Sequence, residues 1–255
     1  MSRVIHMKLF AISDLHLAFQ VDKPMDIFGP SWENHHEKLE TFWKDSVSNE
    51  DTVIIGGDIS WALKLEEAKL DLDFIHSLPG KKIIFKGNHD YWWESYSKVK
   101  RVLPESIEAI QNNFFPFDRE KSIAICGTRG WQVPLTDDKS YKQNNEQFSE
   151  QQEHNKKIFN RELHRLELSM NAAIDEGFEN LIVTLHYPPF YKHNPCSQFA
   201  ELMEKYNVKI CLYGHLHGKD HENAFVGVKN NISYNFIAGD YLDFKPLKID
   251  LSILQ

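Results

Sequence analysis

Cysteine is scarce in this chain: there are 3 in 255 residues, and Cys126, Cys196 and Cys211 stand far apart. An odd, scattered set excludes a disulfide framework, and without a C-x-x-C pair it excludes a thiolate metal site, leaving reduced structural thiols. Glycine and proline are thin as well, at 12 and 10. No stretch of them forms a linker, so residues 1–255 are expected to fold as a single domain with a sizeable core. No apolar run reaches the length that crosses a bilayer, and no small-residue cleavage site follows the first residues. A cytoplasmic protein without membrane attachment is therefore expected, with residues 1–6 dispensable because Met7 would serve equally as a start. Basic residues are outnumbered 29 to 37, for a net charge of -8, which argues against broad attraction to nucleic acid.

What the chain does have is a series of short apolar runs that end abruptly in polar clusters. Strands are expected over 8–12, 51–55, 81–85, 181–185 and 209–213, with helices over 33–47, 63–77, 91–103 and 151–176. Strand, helix and strand recur twice within ninety residues, the pattern of a parallel sheet covered by helices, so the class is α/β. Short apolar stretches at 107–110, 114–117 and 122–126 suggest a second group of strands, more antiparallel than the first. Residues 225–238 and 246–251 alternate well enough to close a sheet. Two segments, 17–31 and 137–153, lack periodicity and are read as long loops, the second alternatively as an exposed helix start.

The polar clusters carry the functional signal. Asp14 and His16 are two apart, so in an extended chain both project to one face, as two ligands of one ion must; equally, Asp14 caps a turn and His16 packs. Gly56-Gly57-Asp58 turns sharply and presents a carboxylate able to bridge two cations. Lys86-Gly87-Asn88-His89-Asp90 is the most specific stretch: as a plain turn it satisfies local backbone groups, and as a site it lies at the carboxyl end of a strand, where ligands gather in open α/β sheets. His186 is followed by Tyr187-Pro188-Pro189, which stiffens the loop that holds it. His215 and His217 are again two apart, between glycines. Arg129 is a candidate phosphate clamp, because a guanidinium matches phosphate oxygens bidentately, or else a surface arginine beside a core Trp131. Trp32, His35 and His36 are either substrate-facing or an aromatic anchor with two solvated histidines. His164 reads as a solvated helix residue.

In order these clusters read D-x-H, G-D, G-N-H-D, H and G-H-x-H, and the chain resembles the calcineurin-like metallophosphoesterase superfamily from Asp14 to His217. The resemblance implies a two-sheet β-sandwich flanked by helices in four αββα layers. It further implies two divalent or trivalent transition-metal ions (Mn, Fe, Zn or Co), one held by Asp14, His16, Asp58 and His217, the other by Asp58, Asn88, His186 and His215. The donor chemistry agrees, since nitrogen and oxygen ligands without sulfur suit those ions. Two cations roughly 3.5–4 Å apart would generate a bridging hydroxide and steady the in-line displacement at phosphorus. His89 is then placed to donate a proton to the departing oxygen or to stabilise charge on the phosphoryl, with Asp90 as the group that orients it. The expected activity is hydrolysis of a small phosphomonoester or phosphodiester. A nuclease of the same superfamily and a non-catalytic, protein-binding scaffold are the alternatives.

Departures from relatives narrow the type. Asp58 is followed by Ile59-Ser60-Trp61, not by the D-R-G element of the Ser/Thr phosphatases. Trp61 stands where purple acid phosphatases carry a metal-binding tyrosine, and His89 where lipid A precursor hydrolases usually carry arginine. Loosely characterised prokaryotic phosphohydrolases are what the pattern most resembles.

Overall fold

The structure, a computed structural model, describes residues 7–133 and 146–254. Residues 1–6 and the first part of the 137–153 segment lie outside that range. The first sheet is built from β1 (Leu9–Ile12), β2 (Thr52–Ile55), β3 (Lys81–Ile84), β4 (Ile107–Ala109) and β11 (Leu247–Lys248), in the order β11-β1-β2-β3-β4. The second is built from β5 (Phe115–Asp118), β6 (Ile123–Thr128), β7 (Asn180–Leu185), β8 (Ile210–Tyr213), β9 (Gly227–Lys229) and β10 (Ile232–Phe236), in the order β5-β6-β7-β8-β10-β9. Both are mixed sheets. Their central strands are mostly apolar because each is covered on both faces.

Helices α1 (His35–Ser46), α2 (Lys69–Ser77) and α3 (Tyr96–Val102) follow strands of the first sheet, and α4 (Glu146–Asp175) and α5 (Gln198–Lys205) those of the second. Three apolar clusters give the layering. Trp43, Leu72, Ile75 and Val99 from the helices pack with Phe10, Val53, Ile55 and Ile84 of the first sheet. Leu9, Ala11, Ile54 and Ile83 meet Ile123, Ile125, Ile182 and Leu212 between the sheets. Phe159, Leu166, Met170 and Phe199 cover Cys126, Val183, Cys211 and Tyr234 on the far side. The result is the four-layer αββα sandwich.

Two expectations change. Residues 107–109 join the first sheet, pairing parallel with Lys82–Ile84 after the α3 crossover. The second sheet is parallel through β6, β7, β8 and β10, and antiparallel only at its edges, where β5 and β9 pair. Hairpin-like spacing at 107–126 suggested otherwise, but the chain there crosses from one sheet to the other. The helices at 63–77 and 91–103 also start later than their apolar pattern implied. Trp92 and Trp93 are buried ahead of α3, whereas Tyr91 is exposed.

One buried charge belongs to the scaffold. Lys82 on β3 is fully buried and its Nζ donates to the carbonyls of Leu78 at 2.6 Å, Gly80 at 2.9 Å and His76 at 3.3 Å. The ammonium thus satisfies acceptors left over at the C-terminal end of α2, where positive charge is favoured.

Candidate metal centre

The carboxyl ends of β1, β2, β3, β7 and β8 lie together, and the chain beyond each strand is tied to its neighbours by main-chain bonds. Asp14 N–H donates to Gly57 O at 2.9 Å, His16 N–H to Asp58 O at 3.0 Å, and Gly214 N–H to His186 O at 3.1 Å. Asp14 and His16 do not converge through an extended chain, as their spacing suggested. Both take left-handed backbone, with φ of 59° and 45°, as do Asp58 at 49° and His215 at 76°. Such angles are costly for non-glycine residues and gather at functional sites. Glycine is required at two close approaches: a Cβ on Gly87 would collide with the Asp58 carboxylate, and one on Gly214 with that of Asp14.

All seven expected ligands come together, in two groups. His217 Nε2 lies 3.4 Å from Asp14 Oδ1 and 3.4 Å from His16 Nε2. His186 Nε2 lies 2.8 Å from Asn88 Oδ1 and 3.4 Å from Asp58 Oδ2, and His215 completes that second cluster. Asp58 joins the groups: Oδ1 accepts the His89 amide at 2.7 Å, while Oδ2 faces both His186 and, at 3.8 Å, His16.

The protonation pattern tests whether cations fit. His186 Nδ1–H donates to Gly56 O at 3.1 Å and His217 Nδ1–H to Asp240 Oδ1 at 2.9 Å. Each Nε2 lone pair therefore faces other acceptors, and Asp14 Oδ1 is buried with no hydrogen-bond partner. Converging acceptors without a donor repel one another unless a positive charge sits among them. The residues fit metal binding.

Electrostatics point the same way. Burial opposes ionisation of Asp14, but the neighbouring His217, 3.4 Å away, and His186 hold its carboxyl well below the usual range. Burial likewise opposes ionisation of Asp58, and His186 and His16 overcome it. Burial pushes His16 down to about 4, and burial with the charge of His186 takes His215 to about 3. His217 rises to about 10 against burial because the carboxylates of Asp14 and Asp240 flank it, and His186 rises to about 8 through Asp58. With no ion among the acceptors, the protons on His217 and His186 supply the positive charge there, and a bound cation would displace them.

His89 stays outside both groups. Its ring lies 4.4 Å from that of Trp61, burial lowers its pKa, and its Nδ1 is buried without a partner. Asp90 does not touch His89, which corrects the expected orienting role. Its carboxylate is fully engaged by the amides of Gly87 at 2.7 Å, Ile59 at 2.8 Å and Ser60 at 3.2 Å and by Trp92 Nε1 at 2.9 Å. It pins the 87–90 turn to the β2 loop, and reaches His89 only through the backbone. The Arg129 guanidinium lies over Trp131 at 4.6 Å and 3.8 Å from Glu162, next to the cluster and not in it. Trp32 is a buried anchor between His16 and His217, each ring 5.5 Å away. His35 is buried as well, not solvated, with Nδ1 bonded to Trp32 O at 3.2 Å. Trp61 stacks on His16 at 4.9 Å, filling with an indole the place of a ligand tyrosine.

Asp240 was not singled out from the sequence. Besides His217 it accepts the Gly218 amide at 3.1 Å, and His221 Nε2 lies 3.1 Å from its other face. The signal was present: Gly239-Asp240 follows an apolar strand just as Gly57-Asp58 does.

The fold and its paired histidine-carboxylate clusters define a metal-site α/β sandwich, and comparison with known proteins narrows it. Residues 7–219 match the calcineurin-like phosphoesterase family, and the chain belongs to that family. A phosphopantetheinyl hydrolase from Mycobacterium tuberculosis shares the fold at 14% identity and a TM-score of 0.56, with 95% of each chain covered. A protein of unknown function from Aquifex aeolicus is similar at 16% identity and a TM-score of 0.50, covering 95% of this chain and 96% of that one. No curated protein matches the chain by sequence. Among the described residues no helix is long and apolar enough to cross a membrane.

Proposed function

We propose that the protein is a dinuclear metal-dependent phosphohydrolase acting on a small phosphomonoester or phosphodiester. The observation that carries this reading is the single oxygen Asp58 Oδ2, which faces His16 of one cluster and His186 of the other. Asp14, His16, Asp58 and His217 would hold one ion, and Asp58, Asn88, His186 and His215 the second. Manganese, iron, zinc and cobalt suit this donor set. When bound, such a pair supplies Lewis acidity toward the phosphoryl oxygens and an activated water. The chain's own residues do the rest. The Asp58 carboxylate is aimed by the His89 amide. The imidazolium form of His89 donates a proton to the departing oxygen, and burial, which lowers its pKa, makes it the stronger acid. Arg129 stands ready to steady anionic substrate from the neighbouring loop.

Cleavage of p-nitrophenyl phosphate or its bis ester that requires Mn²⁺ and is abolished by chelation is the expected result. His89→Asn lowers kcat by roughly 10²–10⁴-fold with metal content unchanged, the usual worth of a general acid. Equal turnover in that variant removes His89 from the mechanism. A purified chain holding no metal, inert toward both esters, overturns the enzyme reading in favour of a scaffold.

A further inference from the structure

On the Asn88 and His186 side of the centre, three arginines crowd one carboxylate with a lysine close by. Glu162 on α4 is fully buried. Its Oε1 meets Arg165 Nη1 at 2.8 Å, Arg161 Nε at 3.3 Å and Arg129 Nη2 at 3.8 Å. Its Oε2 is taken by Thr128 Oγ1 at 2.6 Å. Lys86, two residues before Asn88, bonds through Nζ to Trp93 O at 2.8 Å. Arg129 Nε is buried without a partner. Glu162, with Asp90 near Lys86, cannot neutralise four neighbouring cations, and repulsion among partly buried like charges is several times stronger than in water. In a chain of net charge -8, this surplus is a local choice against the average.

The cations also border the metal centre. Arg129 O accepts both the His186 and Tyr187 amides at 3.0 Å, so the loop carrying the guanidinium and the loop carrying a ligand are one bonded unit. The Tyr187 ring lies 4.0 Å from that of His215 and 5.3 Å from that of Trp131, over which Arg129 sits. Lys86 reaches the group from the loop after β3 of the other sheet, near enough to feel the charges of Arg129 and Arg165. Cations from the loops after β3 and β6 and from α4 therefore form a shelf of positive charge next to the second ligand cluster, and guanidinium forks suit phosphate oxygens.

We infer that this shelf is a second anion subsite, and that the preferred substrate of the proposed phosphohydrolase carries a second phosphoryl group bound by Lys86, Arg129 and Arg165. The inference rests on the phosphohydrolase reading for the scissile phosphate, but the shelf itself is testable without the metals. Inorganic phosphate titrated calorimetrically into the full chain in excess chelator is expected to bind and to weaken as salt rises. Arg165→Gln weakens it at least tenfold, whereas Arg165→Lys, which keeps the charge, recovers part of the loss. With Mn²⁺ restored, the ratio of kcat/KM for inorganic tripolyphosphate to that for p-nitrophenyl phosphate falls about tenfold in Arg165→Gln. Absence of phosphate binding in chelator, or binding indifferent to Arg165→Gln in a variant with wild-type circular dichroism, overturns the subsite even where ester hydrolysis is normal. Loss of ester hydrolysis with phosphate binding intact would instead strike the phosphohydrolase reading.

Discussion

Asp240 offers the sharpest test of how the centre is held. Its carboxylate makes two directed bonds, from His217 Nδ1–H at 2.9 Å and from the Gly218 amide at 3.1 Å. In Asp240→Asn the carbamoyl oxygen keeps one of these, and the amide nitrogen then confronts a donor at the other. One bond to a charged acceptor is lost, worth about 1.5–3 kcal/mol when buried. The His217 ring loses the partner that fixes its tautomer and aims Nε2 at Asp14. Carboxylates behind ligating histidines are worth roughly 10–100-fold in metal affinity, or about 1.4–2.7 kcal/mol. The two estimates agree. The assay is Mn²⁺ affinity by calorimetry together with the Mn²⁺ dependence of ester hydrolysis. The expected outcome is a metal requirement raised 10–100-fold, with kcat recovered at saturating Mn²⁺. Unchanged affinity, or a kcat that saturating metal fails to restore, would refute the positioning role and assign Asp240 to the substrate.

Other expectations follow from buried groups. Burial takes the Lys82 amine down to about 8 from its ordinary 10.5. Below pH 8 both folded and unfolded states hold the proton and the burial penalty is complete. Between 8 and 10.5 the unfolded state holds more protons, so stability rises with pH. Measured as urea unfolding relative to Lys82→Met, that gain is roughly 2 kcal/mol between pH 7 and 9.5, and parallel curves would contradict it. Gly214→Ala drives a methyl into the Asp14 carboxylate and Ser13. It should cost about 1–3 kcal/mol and sharply reduce metal content, whereas Gly177→Ala, with φ +87° and open space around it, costs about 1 kcal/mol and leaves metal content alone.

The parts of the molecule that were legible in its sequence share one cause. Central strands such as Leu181–Leu185 are apolar but for one threonine because both faces are covered, and the residues beyond them are polar because they line the site. Position along the chain therefore marked Asp14, Asp58, Asn88, His186 and His215 together. Sheet membership of 107–109 was illegible, since three residues carry no signal for which partner they will pair with. The role of Asp90 was illegible for a different reason. Its four donors come from Ile59, Ser60, Gly87 and Trp92, and three of those are backbone amides that no side-chain pattern reports. His35 misled because an imidazole buried against Trp32 and Phe244 looks, in sequence, like any helix-start histidine.

The two glycines moulded against carboxylates bear on how such a centre can change over evolutionary time. Gly87 is shaped to the side chain of Asp58 and Gly214 to that of Asp14, so each ligand loop is cast on a residue from another strand. A lineage drifting toward a different ion would have to exchange donor atoms at fixed main-chain stations, because no loop can be redrawn by itself. Novelty in the molecules processed falls to the outlying segments, which are free of that interlock.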